Sequence, residues 1–281
     1  MAVRDRLIVF AIGAPWVLGR GAVIASNWSG ERVEDLSRWA VNLIRDLPWR
    51  LLRLAQTLWQ GLVGLYHIIP AFIRACKGGG LSGAEGWLRR GIVRAGAWLG
   101  VLALQALDIF GIPELFELLW HAVTHSTPLT GSEIAVLAAV LGPSTVRYRD
   151  VRVNRGGALR PVFALNRKRA FTAFHTVNMP GRGSGDQDQL DILVHEMVHV
   201  FQHERLGSVY LGQCLYAQAT VGYGYDGTQG LRRARIEGTH YRDYNREQQA
   251  QIVQDYYWLR CHGWDSSVHE PFVQEMREGK L

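Results

Sequence analysis

Apolar residues recur at spacings of three and four along Leu51, Leu54, Leu58, Leu62, Leu65 and Ile69, which marks one face of a helix. Arg50, Arg53, Gln56, Gln60 and Arg74 lie mostly off that stripe. The pattern predicts helical segments over 33–45, 48–74 and 86–111, with the glycine-rich stretch 77–83 as a break between helices. The most hydrophobic run, 95–107, is bounded by Arg94 and Asp108 and contains one Gln. It is shorter than the roughly 18–20 apolar residues that cross a bilayer, so the expectation is helices packed on the second half of the chain, without a membrane span.

A different pattern begins near Thr127. Thr130 stands three residues before Glu133, a capping box ahead of an apolar helix over 134–141 that Gly142-Pro143 ends. Alternation of apolar and polar residues predicts strands at 146–153, 160–165 and 170–178. A loop over 179–185, rich in Pro and Gly, then leads into a helix from Asp186 to Leu206, stopped by Gly207. Asp186 and Asp188 suit the positive end of that helix and Arg205 its negative end. The expected fold class is therefore α+β and mostly helical. It divides into a helical region at 1–125, which holds eight of the ten tryptophans, and a domain at 126–281 with a small sheet.

Composition narrows the classes. Apolar residues make up 48% and charged residues 20%, as in a folded protein. The net charge of +6 is spread along the chain with no basic run, which speaks against nucleic acid as a partner and leaves contact with an anionic membrane surface open. Cys76, Cys214 and Cys261 are odd in number, far apart and without a C-x-x-C pair, as expected of reduced thiols in a reducing compartment. Arg4 and Arg6 before the apolar stretch 7–19 outline a signal peptide; Asp5, Pro15 and Arg20 argue against one.

Inside the helix stands His195-Glu196-Met197-Val198-His199. Two histidines at i and i+4 leave one helix face about a turn apart, so their ring nitrogens can converge on one ion. Glu196, beside the first ligand, can reach a water on that ion as general base. The alternative is a pair of exposed histidines beside a solvated Glu. A catalytic zinc needs a third protein ligand and an open position. The extended motif H-E-x-x-H-x-x-G-x-x-H would need Gly at 202 and His at 205, where the chain has Gln202 and Arg205. The expected third ligand is Glu247, in the first turn of a helix capped by Asn245, with small Ala250 allowing close approach. His203 sits a further turn up the axis and is read as a supporting or surface residue. Asp191, Gln251 and Asp255 are candidates for orienting the ligand histidines, and His240, Tyr241 and Tyr244 for stabilising the transition state. The strand at 170–178 is a candidate for holding an extended peptide by strand addition.

The stretch Val194-His-Glu-Met-Val-His-Val-Phe-Gln202, followed by Tyr244-Asn-Arg-Glu-Gln-Gln-Ala-Gln-Ile-Val-Gln-Asp-Tyr-Tyr257, resembles the zincin-like metallopeptidase domains of bacterial Vgr-related or Rhs-associated proteins. These accompany contractile, type VI-like secretion systems. The resemblance covers about 127–260. It implies a zincin-like domain with two metal-ligating helices, one Zn2+ per chain and a peptide or protein substrate. It further implies an effector or accessory enzyme of a secretion machine, in the bacterial cytoplasm or exported by that machine. Two other classes stay open: a non-catalytic zinc-binding scaffold or adaptor, and a membrane-associated protein acting through its Trp-rich helices.

Overall fold

The structure is a computed structural model that describes residues 36–37, 39–124, 126–155, 169–180 and 186–281. The expected strand at 160–165, the loop at 181–185 and the apolar segment 7–19 lie outside the described residues. Contacts divide the chain into two compact units, Met1–Arg45 and Asp46–Leu281. In the first, the described residues 36–37 and 39–45 are helical. The second runs across residue 125, where patterning put a domain boundary, and holds the sheet and the candidate site.

The fold is α+β and mostly helical, as patterning predicts. The second unit opens with α1 (46–66), α2 (Ile68–Ile109) and α3 (Ile112–Val123). Then come β1 (Ser126–Pro128), α4 (Gly131–Leu141), β2 (Arg152–Arg155), β3 (Phe171–Ala173) and β4 (Thr176–Met179). It closes with α5 (Asp186–Leu206), α6 (Val209–Ala219), α7 (Gly227–Ile236), α8 (Arg246–Cys261) and α9 (Glu270–Arg277).

α2 is interrupted at Gly80, whose φ of 54° and ψ of −136° turn the chain back on itself, at the break expected over 77–83. The two arms run antiparallel. Trp98 Nε1 donates to the Thr57 carbonyl (3.0 Å), Gln105 Nε2 to Thr57 Oγ1 (3.0 Å), and the rings of Phe72 and Trp87 meet edge to face at 5.1 Å. The open end of this hairpin is tied to the rest of the unit. Asp108 accepts from the Ser208 backbone N–H at 2.9 Å, just after α5 ends at Leu206. Gly207 is needed there twice over: its φ is +67°, and a Cβ would strike the Asp108 carboxylate. One expectation is corrected here. The span Ser82–Ile109 is 28 residues long with an 18-residue window of mean hydropathy 1.5, so it is long and apolar enough to cross a membrane. The estimate from 95–107 alone stopped at Arg94 and Asp108, whereas a spanning helix tolerates such residues at its ends.

The sheet has the order β1-β2-β4-β3, with β2 and β4 parallel and both outer pairs antiparallel. Two strand expectations change. Over 146–153 only β2 joins the sheet, because Tyr148–Asp150 winds into a 3-10 turn. The alternation there reflects Val146, Tyr148 and Val151 entering the core, with the Tyr148 hydroxyl donating to the Gly142 carbonyl at 2.7 Å. Residues 170–178 are two strands, reversing at Phe174 with φ of 61°. No Asn-Gly or Gly marks this turn. Tertiary contacts hold it instead: the Phe174 N–H donates to the Tyr210 hydroxyl (3.0 Å), and its ring rests against Phe116 and His203. The capping box at Thr130 and Glu133 and the stop at Gly142 are both present, as expected.

α3 docks on β4 through buried polar groups. Glu117 accepts from the His175 N–H (2.6 Å) and Thr176 Oγ1 (3.0 Å), and His175 Nε2 lies 3.1 Å from Glu204 Oε1. Burial opposes a charge on His175, but Glu117 and Glu204 outweigh it and raise the imidazole to about 10. A folded-state value above the unfolded ~6.5 means stabilisation that is complete below pH ~6.5 and lost as pH rises through about 10. Denaturation midpoints of the wild type should therefore fall across that window. His175→Gln should be less stable by roughly 2–4 kcal/mol at pH 6, a gap that closes toward pH 10. A pH-independent gap would contradict the charged assignment.

Candidate metal centre

α5 passes through the core. Leu193, Val194, Met197, Val198, Val200 and Phe201 are each 1% exposed or less. His195, Glu196 and His199, on the same helix, are 7%, 5% and 6% exposed, which removes the alternative of solvated histidines. Polar side chains so deep need partners or an ion.

α8 supplies one. Its Asn245–Gln248 capping box is formed in both directions, at 2.9 and 3.1 Å. The fully buried Ala250 lets α8 lie against α5. Glu247 in its first turn is 0% exposed, and its Oε2 lies 3.5 Å from Nε2 of both His195 and His199. One ligand atom from each of the three residues falls within 4.8 Å of the others. Glu247 Oε2 and His195 Nδ1 are buried without hydrogen-bond partners. An orphaned carboxylate oxygen facing two imidazole nitrogens fits a cation held by all three. Burial works against the charge of Glu247, yet the two histidines hold its carboxyl far below the usual range. For His199, burial opposes the charge while Cys214 and Glu247 raise it.

The groups that orient these candidate ligands were not found by sequence reasoning. His199 Nδ1 is 2.8 Å from Gln202 Oε1, which leaves Nε2 facing the site. Gln202 Nε2 donates to the Arg246 carbonyl (3.0 Å) and to Gln249 Oε1 (3.1 Å), so one amide couples the ligand histidine to the start of α8. Gln218 Nε2 donates to Glu247 Oε1 at 2.9 Å. Thr172 Oγ1, on β3, donates to Glu196 Oε2 at 2.7 Å and steadies the carboxylate.

The other candidates have different partners. Gln251 donates to Asp255 Oδ1 (2.7 Å), Asp255 also takes the Tyr225 hydroxyl, and Asp191 accepts from Gln254 (3.3 Å); none of the three bonds a ligand histidine. His240 Nδ1 is 2.9 Å from Glu275, and the buried Tyr241 donates its hydroxyl to the Gln249 carbonyl (3.2 Å). Tyr244 packs on Phe272, and none of His240, Tyr241 or Tyr244 lines the cavity at the site. His203 is buried among His175, Phe174 and Tyr210, outside the ligand cluster. Burial first, then the charges of His175, Arg50, Arg147 and Arg53, hold it neutral.

A cavity of about 370 Å³ opens on the cluster, lined among others by Arg169, Phe171, Glu196, Leu215, Tyr223 and Glu247. The Tyr223 ring lies 5.7 Å from the His195 ring, and the Arg169 guanidinium lies over the Tyr223 ring at 5.9 Å. The turn that carries Tyr223 is pinned by the α8 cap: Asn245 Nδ2 donates to the Gly222 carbonyl at 3.1 Å, and Gln248 Nε2 to the Gly224 carbonyl. The same first turn thus places both Glu247 and Tyr223. The outer edge of β3, expected to accept a peptide strand, is partly taken. The Tyr210 hydroxyl donates to the Thr172 carbonyl (3.2 Å) and accepts from the Phe174 N–H (3.0 Å), where an added strand would pair. Compared with protein-family models, curated proteins and solved structures, the chain matches none of them.

Proposed function

We propose that the chain is a zinc-dependent peptidase, with His195, His199 and Glu247 as ligands and Glu196 as general base. The observation that carries this reading is a buried two-imidazole, one-carboxylate cluster next to a second carboxylate that faces the same cavity. Two nitrogens and one oxygen with no thiolate match the ligand set of catalytic zinc. When bound, zinc polarises the scissile carbonyl and lowers the pKa of its water toward ~7.

The chain's own residues supply the rest. Glu196, held by Thr172, accepts the proton of the attacking water and passes it to the leaving amine. Tyr223 is the hydroxyl placed at the cavity to donate to the developing oxyanion. Because Tyr210 occupies the β3 edge, substrate is held by the cavity walls and not by extended strand pairing. The likeness of the two motifs to domains that accompany contractile injection systems supports a role as an exported effector or accessory peptidase.

Incubation of the zinc-loaded chain with a peptide library, read by mass spectrometry, tests the activity: cleavage should appear and be lost on chelation. Tyr223→Phe should lower kcat by ~10²-fold while zinc content stays unchanged. Full activity in that variant would remove Tyr223 from the mechanism, and a library left intact by the loaded wild type would overturn the peptidase reading.

A further inference from the structure

We infer that the helical hairpin formed by α1 and α2 inserts into a lipid bilayer, with its closed end at Gly80 leading. This inference does not depend on the peptidase reading. In the first arm, no Asp, Glu, Lys or Arg occurs between Arg53 and Arg74. Residues 54–73 would rise ~30 Å as a helix, the thickness of a bilayer's hydrocarbon core. Apolar side chains on this arm are exposed at adjacent positions, as at Leu58 and Trp59, Leu65 and Tyr66, and Ile68 and Ile69, so more than one face is apolar. Gln56, Gln60 and His67 are uncharged polar positions exposed along one side of this arm, and its other faces are apolar, as in a helix buried in protein or lipid. In the second arm, only 11% of the apolar window in Ser82–Ile109 is buried. Among the described residues, little protein covers it.

Charge supports the same occupant. Around the closed end stand Arg74, Lys77, Arg89 and Arg90 against the single acid Glu85; Arg89 and Arg90 follow Trp87, which meets Phe72 at the end of the first arm's apolar stretch, and Arg94 lies one turn further along. Side chains on a helix tilt toward its N-terminus, which for the second arm is the closed end. The Arg90 guanidinium follows this rule, lying 3.3 Å from the space a Cβ on Gly86 would fill, one turn nearer that end. Arginines so directed carry their charge out of the apolar layer to phosphate headgroups. At the open end, Asp108 is bound to Ser208 and Arg50 to Glu114, so the charges there are spent within the protein and not left to lipid.

The cysteines provide the test. Cys76 lies beside the closed end, Cys261 is exposed on α8 and Cys214 is buried. The full chain should be reconstituted with vesicles of phosphatidylethanolamine and phosphatidylglycerol, floated, and treated from outside with a membrane-impermeant maleimide. Insertion predicts that the chain floats, resists alkaline carbonate, and labels at Cys261 while Cys76 stays protected until detergent is added. A variant carrying Leu62→Glu, Ile69→Glu and Leu99→Glu alters only exposed side chains, so its helicity should be kept while flotation falls at least about tenfold. Equal labelling of Cys76 and Cys261 in vesicles, release by carbonate, or undiminished flotation of the triple variant would each overturn the inference. So would a wild-type dimer that never floats and that the triple variant dissociates, since a second copy would then cover the hairpin.

Discussion

Glu247→Ala is expected to lower zinc affinity by at least ~10²-fold, while His203→Ala leaves it nearly unchanged. The two residues make opposite claims about geometry. Eight residues along one α-helix separate His195 from His203 by about 12 Å, too far for both to hold one ion at ~2.0–2.1 Å. Glu247 comes from a second helix and already sits 3.5 Å from both imidazoles. His203 instead packs against Phe174, His175 and Tyr210, so its removal should cost stability, roughly 1–3 kcal/mol, and not metal. Metal content of the two folded variants decides between them. Zinc kept without Glu247 and lost without His203 would reverse the assignment.

Glu196→Gln should keep its zinc and lose kcat by ~10²–10⁴-fold. Its carboxylate lines the cavity beside the ligand atoms but is not one of the three that converge. The amide oxygen of Gln can still accept from Thr172 Oγ1, so the local structure is expected to survive. What disappears is a group able to take a proton from water. An emptied site would show that Glu196 ligates, and retained hydrolysis would show that another base acts.

The convergence of His195, His199 and Glu247 was legible because local rules placed each part. The i and i+4 spacing put His195 and His199 on one face, and the Asn245 capping box put Glu247 in a first turn. The partners that tune those ligands were not legible. Gln202 reaches across to α8, Thr172 comes from a strand, and Tyr223 sits in a turn fixed by the α8 cap; each depends on how distant elements pack. Asp191 and Gln251 stood one turn from His195 and Glu247, but they pair with Gln254 and Asp255 instead. The turn at Phe174 was hidden for a related reason, since a positive φ at an aromatic residue is held by Tyr210 and not by turn-forming sequence. The run 95–107 was read as too short to span because counting stopped at Arg94 and Asp108, whereas the apolar helix extends over Ser82–Ile109.

The central claim, one zinc held by two imidazoles and one carboxylate, is met most directly by X-ray absorption at the zinc edge on the purified full chain. The account predicts one zinc per chain with only nitrogen and oxygen neighbours at ~2.0–2.2 Å, and no sulfur, since Cys214 approaches the Nδ1 side of His199 at 3.6 Å. The bound zinc itself should be lost in His195→Ala. A chain that binds no zinc, or a zinc shell containing sulfur at ~2.3 Å, would contradict it.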